Sequence, residues 1–198
     1  MDTETNNSGL PIILASEYNP HTIRGEIMRV SNAKTNAVLS VKGLDDISYV
    51  IRKVFENSTE EVLIFNPTGL IFSTNTFVGD ENREFTAAGF KKLLDKKISV
   101  KICVKSENIK SIFSNKICFL LKNYGHSLVE IKTSETAPYD YTKNFFVVGD
   151  KKIFMSCNYT ENLENLIGSL NFNDPENCLE LIKLFDEVFT VESSSVSY

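Results

Sequence analysis

The chain has 198 residues, of which 42% are hydrophobic and 24% are charged, and its formal net charge is −5. These values are ordinary for a soluble globular protein with a single core. The acidic balance argues against a nonspecific nucleic-acid binder, so we expect no direct nucleic-acid binding by this domain. No run approaches the ~20 apolar residues of a spanning helix, and the polar start MDTETNNSG lacks the apolar region of a signal peptide, which favours a cytoplasmic location.

The four cysteines are widely spaced and form no CxxC pair. Three of them lie in apolar runs, where thiols are usually buried and inert. This pattern favours neither a zinc site nor a disulfide framework, and we expect no metal and no cofactor. The residues concerned are Cys103, Cys118, Cys157 and Cys178.

The first part of the chain predicts a flexible N-terminal segment over residues 1–19 and an amphipathic connecting helix over 20–44. In the second range, apolar residues recur at three- and four-residue steps, as on one face of a helix. Two interpretations stay open: the helix packs on its own domain, or it runs out of the domain as a connecting or dimer helix. The apolar positions are Ile23, Ile27, Val30, Ala33, Ala37 and Val41.

Residues 45–192 predict one α/β domain. A helix capped by Asp45 or Asp46 precedes a buried strand at 61–65, and strands at 98–104 and 127–132 alternate with helices at 84–97 and 107–123. The basic tail of the 84–97 helix suits a helix C-terminus, although it could also meet an anion. Asp174-Pro175 starts a last helix, and residues 193–198 are predicted to be a disordered tail.

The segment from Tyr139 to Asn158 predicts two strands joined by a turn at Gly149-Asp150. Within it, Tyr141-x-Lys143, then Val148, then Met155-Ser156-x-Asn158 resembles the H-x-K-x-x-x-x-D…G-S-x-N signature of the phospholipase D superfamily. The Lys, Ser and Asn of that signature are present. Its His, Asp and first Gly are replaced by Tyr, Val and Met.

This resemblance implies a fold class: a single phospholipase D-like α/β domain with a mixed, mostly parallel sheet and helices on both faces, preceded by the amphipathic helix. It also implies chemistry that this chain lacks. In the family the His attacks phosphorus, whereas the phenol of Tyr141, with an ordinary pKa of ~10, is mostly protonated at neutral pH. Val148 removes the carboxylate that would help, and His21 and His126 lie outside the signature. We therefore predict that the domain is not an enzyme.

The resemblance leaves a predicted ligand site. Lys143 supplies a fixed charge there, with Ser156 and Asn158 from the neighbouring strand and Tyr141 in the place of the family's His. Asn66 and Thr68 follow the 61–65 strand, at the edge where open α/β sheets bind ligands. The alternative is that Lys143 simply faces solvent and Asn158 forms a turn.

The chain is similar to the sensor domains of TrmB-type archaeal regulators, which keep this fold without the catalytic pair. The resemblance implies a noncatalytic ligand-sensing or regulatory domain, an input module for signalling or transcription control, with a small polar or anionic ligand and a homodimer or signalling module as partners. The alternative is a protein- or membrane-surface adaptor that uses the first helix, or the basic cluster Lys91, Lys92, Lys96 and Lys97, as its contact. The sequence does not distinguish a complete protein from a module of a larger one.

Overall fold

A computed structural model describes residues 4–5, 11–13, 20–69, 71, 80–110, 120–123, 127–135, 144–158, 166–191 and 193–195. The α-helices whose bounds are described are α1 (Pro20–Ala33), α2 (Leu44–Asn57), α3 (Asp80–Asp95) and α4 (Pro175–Asp186), which a π-helical turn at Glu187–Val191 extends. The strands are β1 (Glu4–Thr5), β2 (Pro11–Ile13), β3 (Val38–Lys42), β4 (Glu61–Phe65), β5 (Ser99–Lys105), β6 (Val129–Ser134), β7 (Asn144–Gly149), β8 (Ile153–Asn158), β9 (Ile167–Asn171) and β10 (Ser193–Ser195).

The ten strands form one mixed sheet in the order β1-β2-β3-β9-β8-β7-β4-β5-β6-β10. The β2–β3, β4–β5 and β5–β6 pairs are parallel. The other pairs are antiparallel: the hairpin β7–β8 and strand β9 lie between β3 and β4, and β1 and β10 close the two ends of the sheet. The predicted mixed α/β class is confirmed, and the parallel part is smaller than predicted.

Helices cover both faces of the sheet, as predicted. Alternate residues of β4 enter different clusters: Val62 and Ile64 pack with the apolar sides of α1, α2 and α3, whereas Leu63 and Phe65 pack against α4. This alternation follows from the two-residue repeat of a strand. We call the two sides of the sheet the α2 face and the α4 face.

The N-terminal helix is shorter than predicted and packs on its own domain. It ends at Ala33, and Val38–Lys42 is strand β3, so the prediction of a helix through residue 44 is wrong. Leu39 and Val41 point into the α2-face core with the alternation of a strand, and Val41 also continues the four-residue spacing of Ala33 and Ala37 on which the helix prediction rested. Ile23, Ile27 and Val30 are buried in the same core, which supports the first of the two interpretations.

Two segments predicted to lack structure contain strands. Residues 11–13 pair with β3, and Glu4–Thr5 pairs with residues 11–13, inside the segment predicted to be flexible. Ser193–Ser195 pairs with β6, inside the predicted disordered tail. The domain boundaries themselves stay predictions.

Strand β9 is not among the strands that the sequence predicts. Its sequence, IGSLN, combines Gly and Ser, which strands disfavour. Close packing favours glycine at position 168, since a Cβ there would lie 3.2 Å from the carbonyl oxygen of Ser156 and 3.3 Å from Val41 Cγ2. Strand β9 is therefore stabilised by packing against β3 and β8 rather than by the strand preference of its own residues.

The predicted hairpin and last helix are both present. Asp150 and Lys151 occupy the turn with φ of 51° and 57°, and Lys152 N donates to Gly149 O at 3.2 Å, as in a type I′ turn. Asp174 caps α4, accepting a hydrogen bond from Asn177 N at 3.1 Å, and Pro175 takes the first helical position.

Candidate functional site

The predicted site residues that the structure describes lie at one end of the sheet. We call this end, where β3, β4, β5, β6 and β8 finish and β7 and β9 begin, the upper edge. Asn144 at the start of β7 pairs with Asn158 at the end of β8, and Phe65 at the end of β4 pairs with Phe146. The sheet therefore brings Asn66, which follows Phe65, to the same edge as Asn144 and Asn158.

Asn66 is the most unusual polar residue at the upper edge. Its side chain is 0% exposed. Oδ1 accepts a weak hydrogen bond from Ile71 N at 3.4 Å, but Nδ2 has no hydrogen-bond partner within the described ranges. A buried amide donor without a partner is costly, so in a native structure it calls for an explanation such as a bound ligand, ion or water.

The turn after β4 holds Asn66 in place. Asn66 N donates to Cys103 O at 2.8 Å, which prolongs the β4–β5 ladder, and Gly69 N donates to Asn66 O at 2.9 Å, which closes the turn. Thr68 is half-buried inside that turn. The Pro67 carbonyl accepts from Asn108 Nδ2 at 2.8 Å, so the segment after β5 braces the turn.

Ser156 and Asn158 share an edge with Asn66 but not a face. Ser156 pairs with Phe146, which packs on the α4 face, and Asn158 lies two residues on, on the same face. Asn66 has the opposite parity to Phe65 and bonds to Ile71, which belongs to the α2-face core. A ligand that touched all of them would have to sit across the end of the sheet.

Tyr141 and Lys143 lie outside the described residues, so their predicted roles stay predictions. Val148, in the position of the family's Asp, is described. It is 1% exposed and sits in the middle of the sheet, paired with Leu63 on one side and Phe154 on the other. Met155, in the position of the first Gly, is buried on the α2 face.

The described side chains offer no activated thiol. Burial raises the pKa of Cys103, Cys157 and Cys178 to about 12, so each thiol stays protonated at neutral pH. Among the described residues, no group of three His, Cys, Asp or Glu side chains could hold a metal ion. The side chains of His21 and His126, and residue Cys118, are outside what the structure describes.

Three lysines of the predicted basic cluster have partners on their own chain. Lys91 Nζ lies 2.6 Å from Asp95 Oδ2, Lys92 Nζ lies 2.8 Å from Glu56 Oε1, and Lys96 Nζ donates to Glu56 O at 2.8 Å. The cluster lies at the opposite end of the sheet from Asn66. Helices in the described part of the chain are all too short or too polar to cross a membrane.

Asn144 and Asn108 were not predicted as site residues. Asn144 directly follows Lys143 and opens β7, so its place at the upper edge follows from the hairpin register once Asn158 is placed. Asn108 reaches Pro67 from 41 residues away in sequence. Nothing in the local sequence indicates that contact.

No protein-family model matches the chain, and no curated protein matches it. Solved structures do. TrmBL2, an archaeal chromatin protein, is 12% identical with a TM-score of 0.56, and the match covers 89% of this chain and 62% of TrmBL2. Phosphatidylserine synthase from Haemophilus influenzae is 14% identical with a TM-score of 0.53, covering 82% of this chain and 41% of the synthase. Nuc from Salmonella typhimurium, a phospholipase D family member, is 9% identical with a TM-score of 0.49, covering 75% and 90%.

One comparison corrects a prediction. The structure of TrmBL2 is described as showing a novel mode of DNA binding. The prediction that this domain does not bind nucleic acid directly, which rested on net charge, is therefore wrong as an exclusion: a protein of this fold does bind DNA. The chain spans less than two thirds of TrmBL2 and less than half of the synthase, and both likenesses concern the fold. With its mixed central sheet and helices on both faces, the chain has the phospholipase D-like fold.

Proposed function

We propose that this chain is a noncatalytic ligand-sensing domain of phospholipase D-like fold, an input module for signalling or transcription control. The observation that carries the proposal is the fully buried Asn66 at the upper edge, whose Nδ2 has no hydrogen-bond partner among the described residues. An amide donor left without an acceptor costs about 1–3 kcal/mol. A ligand oxygen that accepted this hydrogen bond would recover that energy.

In this proposal the other predicted site residues supply the remaining polar groups of the ligand site. Asn158 is exposed and Ser156 half-buried on β8, Thr68 lies in the turn after Asn66, and Tyr141 and Lys143 precede β7 in sequence. Amides and hydroxyls orient a small polar ligand, and Lys143 adds one fixed positive charge.

Val148 supports a binding role over catalysis. An isopropyl group packed between Leu63 and Phe154 cannot orient or charge a neighbouring base. Tyr141, a phenol in the place of the family's attacking imidazole, also favours binding over catalysis. Activity on simple phosphodiesters that disappeared with Lys143→Ala would contradict this part of the proposal.

A ligand at the upper edge would contact elements that reach the rest of the fold. Gly43 N donates to Leu166 O at 2.8 Å, which joins the start of α2 to the β8–β9 connection beside Asn158. A ligand that favoured one arrangement of this edge would therefore bias α2. The likeness to TrmBL2, a chromatin protein, agrees with a role at DNA.

The proposal is tested by thermal unfolding in the presence of a panel of polar metabolites. We expect at least one compound to raise the Tm of the wild type, because binding to the native state stabilises it. The shift should disappear in Asn66→Ala and shrink in Asn158→Ala. Asn32→Ala, an exposed asparagine of α1, is the matched control and should keep the full shift. A shift that is the same in all four proteins would place binding elsewhere.

A further inference from the structure

The lower end of the sheet, opposite the upper edge, concentrates positive charge. We define the basic end as residues 52–60, 91–97 and 150–152. It holds eight basic and four acidic side chains, in a chain whose net charge is −5. Its segments touch one another: Lys96 Nζ donates to Ser58 O at 3.4 Å, and the Asp150 carboxylate accepts from Thr59 N at 2.9 Å.

The Glu56 carboxylate contacts three of the basic side chains. Arg52 Nε lies 2.9 Å from Glu56 Oε1, Lys92 Nζ 2.8 Å from the same oxygen, and Lys53 Nζ 2.8 Å from Oε2. Three cations around one anion leave a local surplus of two positive charges. Each ammonium has three donors, and Lys92 is 50% exposed, so it can meet a second anion without leaving Glu56.

Helix termini account for only part of the surplus. The carboxyl ends of α1, α2 and α3 lie here and the amino end of α4 begins here. Each terminus carries roughly half a unit of charge, negative at a carboxyl end and positive at an amino end, so together they offset about one of the four surplus positive charges. The three segments keep the rest of the surplus, and Asp174 N donates to Lys152 O at 2.7 Å, which places one more acidic residue beside them.

Two lysines of the basic end occupy backbone positions that favour glycine. Lys97 has φ of 61° at the end of α3, where Ile98 N donates to Leu93 O as in a Schellman motif. Lys151 has φ of 57° in the β7–β8 turn, a position usually taken by glycine. A third lysine, Lys34, has φ of 49° where α1 ends at the same end of the sheet. Left-handed backbone is unfavourable for lysine, so stability alone does not explain these choices.

The basic end lacks the apolar side chains of a membrane-attachment surface. The exposed large hydrophobic residues in the described ranges are Met28 on α1, Ile167 at the upper edge and Leu179 on α4. Surface attachment to lipid normally combines basic residues with such side chains. A set of lysine and arginine heads without them fits a phosphodiester backbone instead.

We propose that the basic end binds the phosphate backbone of nucleic acid without reading base sequence. The affinity is electrostatic and falls steeply with salt, because each neutralised phosphate releases counterions. The upper edge stays available for its own ligand at the other end of the sheet.

The test measures fluorescence anisotropy of short mixed-sequence DNA and RNA with the full chain, between about 50 and about 200 mM salt. We expect binding by the wild type. Lys97→Gly/Lys151→Gly should bind severalfold more weakly, and its salt slope should fall by about 1 for each lysine that contacts a phosphate. The same variant should have a raised Tm, because glycine suits both backbone positions.

Two further variants separate the effect of the lost charges on binding from the effect of the glycine substitutions on stability. Lys97→Gln/Lys151→Gln removes the same charges without the glycine effect and should also bind weakly. Lys122→Gln/Lys183→Gln removes two exposed lysines outside the basic end and should bind like the wild type. No binding at the lowest salt, equal binding by all variants, or binding only to vesicles that contain phosphatidylserine would overturn the proposal.

Discussion

At the scale of single residues, the buried side chain of Ser58 restricts position 149 to glycine. A Cβ at this position would overlap Ser58 Oγ. Ser58 is buried, and its hydroxyl donates to Val54 O at 2.8 Å, closing the end of α2. The hydroxyl can turn away from a new methyl group only by breaking that hydrogen bond.

We therefore expect Gly149→Ala to lower the free energy of unfolding by about 1–3 kcal/mol, the usual cost of overpacking. In a Ser58→Ala background the same substitution should cost clearly less, because the overlapping oxygen is gone. Urea unfolding of the four proteins gives the coupling between the two positions. An equal cost in both backgrounds would mean that Ser58 does not restrict Gly149.

Asn66 could be found from sequence, but its missing partner could not. A polar residue that follows a buried strand is readily placed at a carboxyl edge. Whether its amide has an acceptor depends on contacts such as that with Ile71 and on the turn braced by Asn108. No short sequence motif predicts those contacts.

At the scale of elements, the sequence predicted those with strong local signals. The hairpin around Asp150 and the start of α4 at Asp174-Pro175 carry turn and cap residues that act through their own backbone. Strand β9 was missed because its residues have weak strand preference, and it is held by pairing with β3 and β8. The boundary between α1 and β3 was misplaced because Val41 fits both a helical and a strand repeat.

The position of α1 makes a direct prediction. Ile27 is 0% exposed in the α2-face core, whereas the adjacent Met28 is 47% exposed. Ile27→Ala should lower the free energy of unfolding by about 2–5 kcal/mol through lost burial and the cavity left behind. Met28→Ala on the same helix should change it by less than about 0.5 kcal/mol.

Chemical denaturation measures both variants. A helix that ran out of the domain would make the two substitutions similar in their effect on stability. Such a result would reverse the assignment of α1 to the core and restore the connecting-helix interpretation.

At the scale of the whole molecule, the net charge hides an asymmetry. The sum of −5 suggested a surface that repels nucleic acid, yet residues 52–60, 91–97 and 150–152 carry a positive surplus. The asymmetry depends on the fold, because α2, α3 and the β7–β8 turn come together only at the lower end of the sheet. Composition gives only the total charge, whereas the fold determines where on the surface the charged residues lie.

The same charges make stability depend on acidity. Burial tends to raise the pKa of Glu56, but hydrogen bonds from Lys53, Lys92 and Arg52 outweigh it and lower the pKa from 4.5 to about 2. Burial likewise opposes ionisation of Asp150, and hydrogen bonds from the backbone of Glu60 and Thr59 outweigh it and lower the pKa of Asp150 below its ordinary value. Both carboxylates therefore stabilise the fold fully above their unfolded-state pKa, and this contribution is lost as the pH falls through the lowered value.

We expect Glu56→Gln to be less stable than the wild type at neutral pH, because three cations lose their shared anion. The difference between the two proteins should shrink as the pH falls below about 4.5 and nearly vanish near pH 2, where Glu56 itself becomes protonated. Glu180→Gln, at an exposed glutamate of α4, removes the same charge away from the cluster and should have little effect at neutral pH. Urea titrations of the three proteins across this pH range measure the differences in their unfolding free energies. A gap between wild type and Glu56→Gln that stayed constant down to pH 2 would show that the lysines and Arg52 do not hold Glu56 in its charged form.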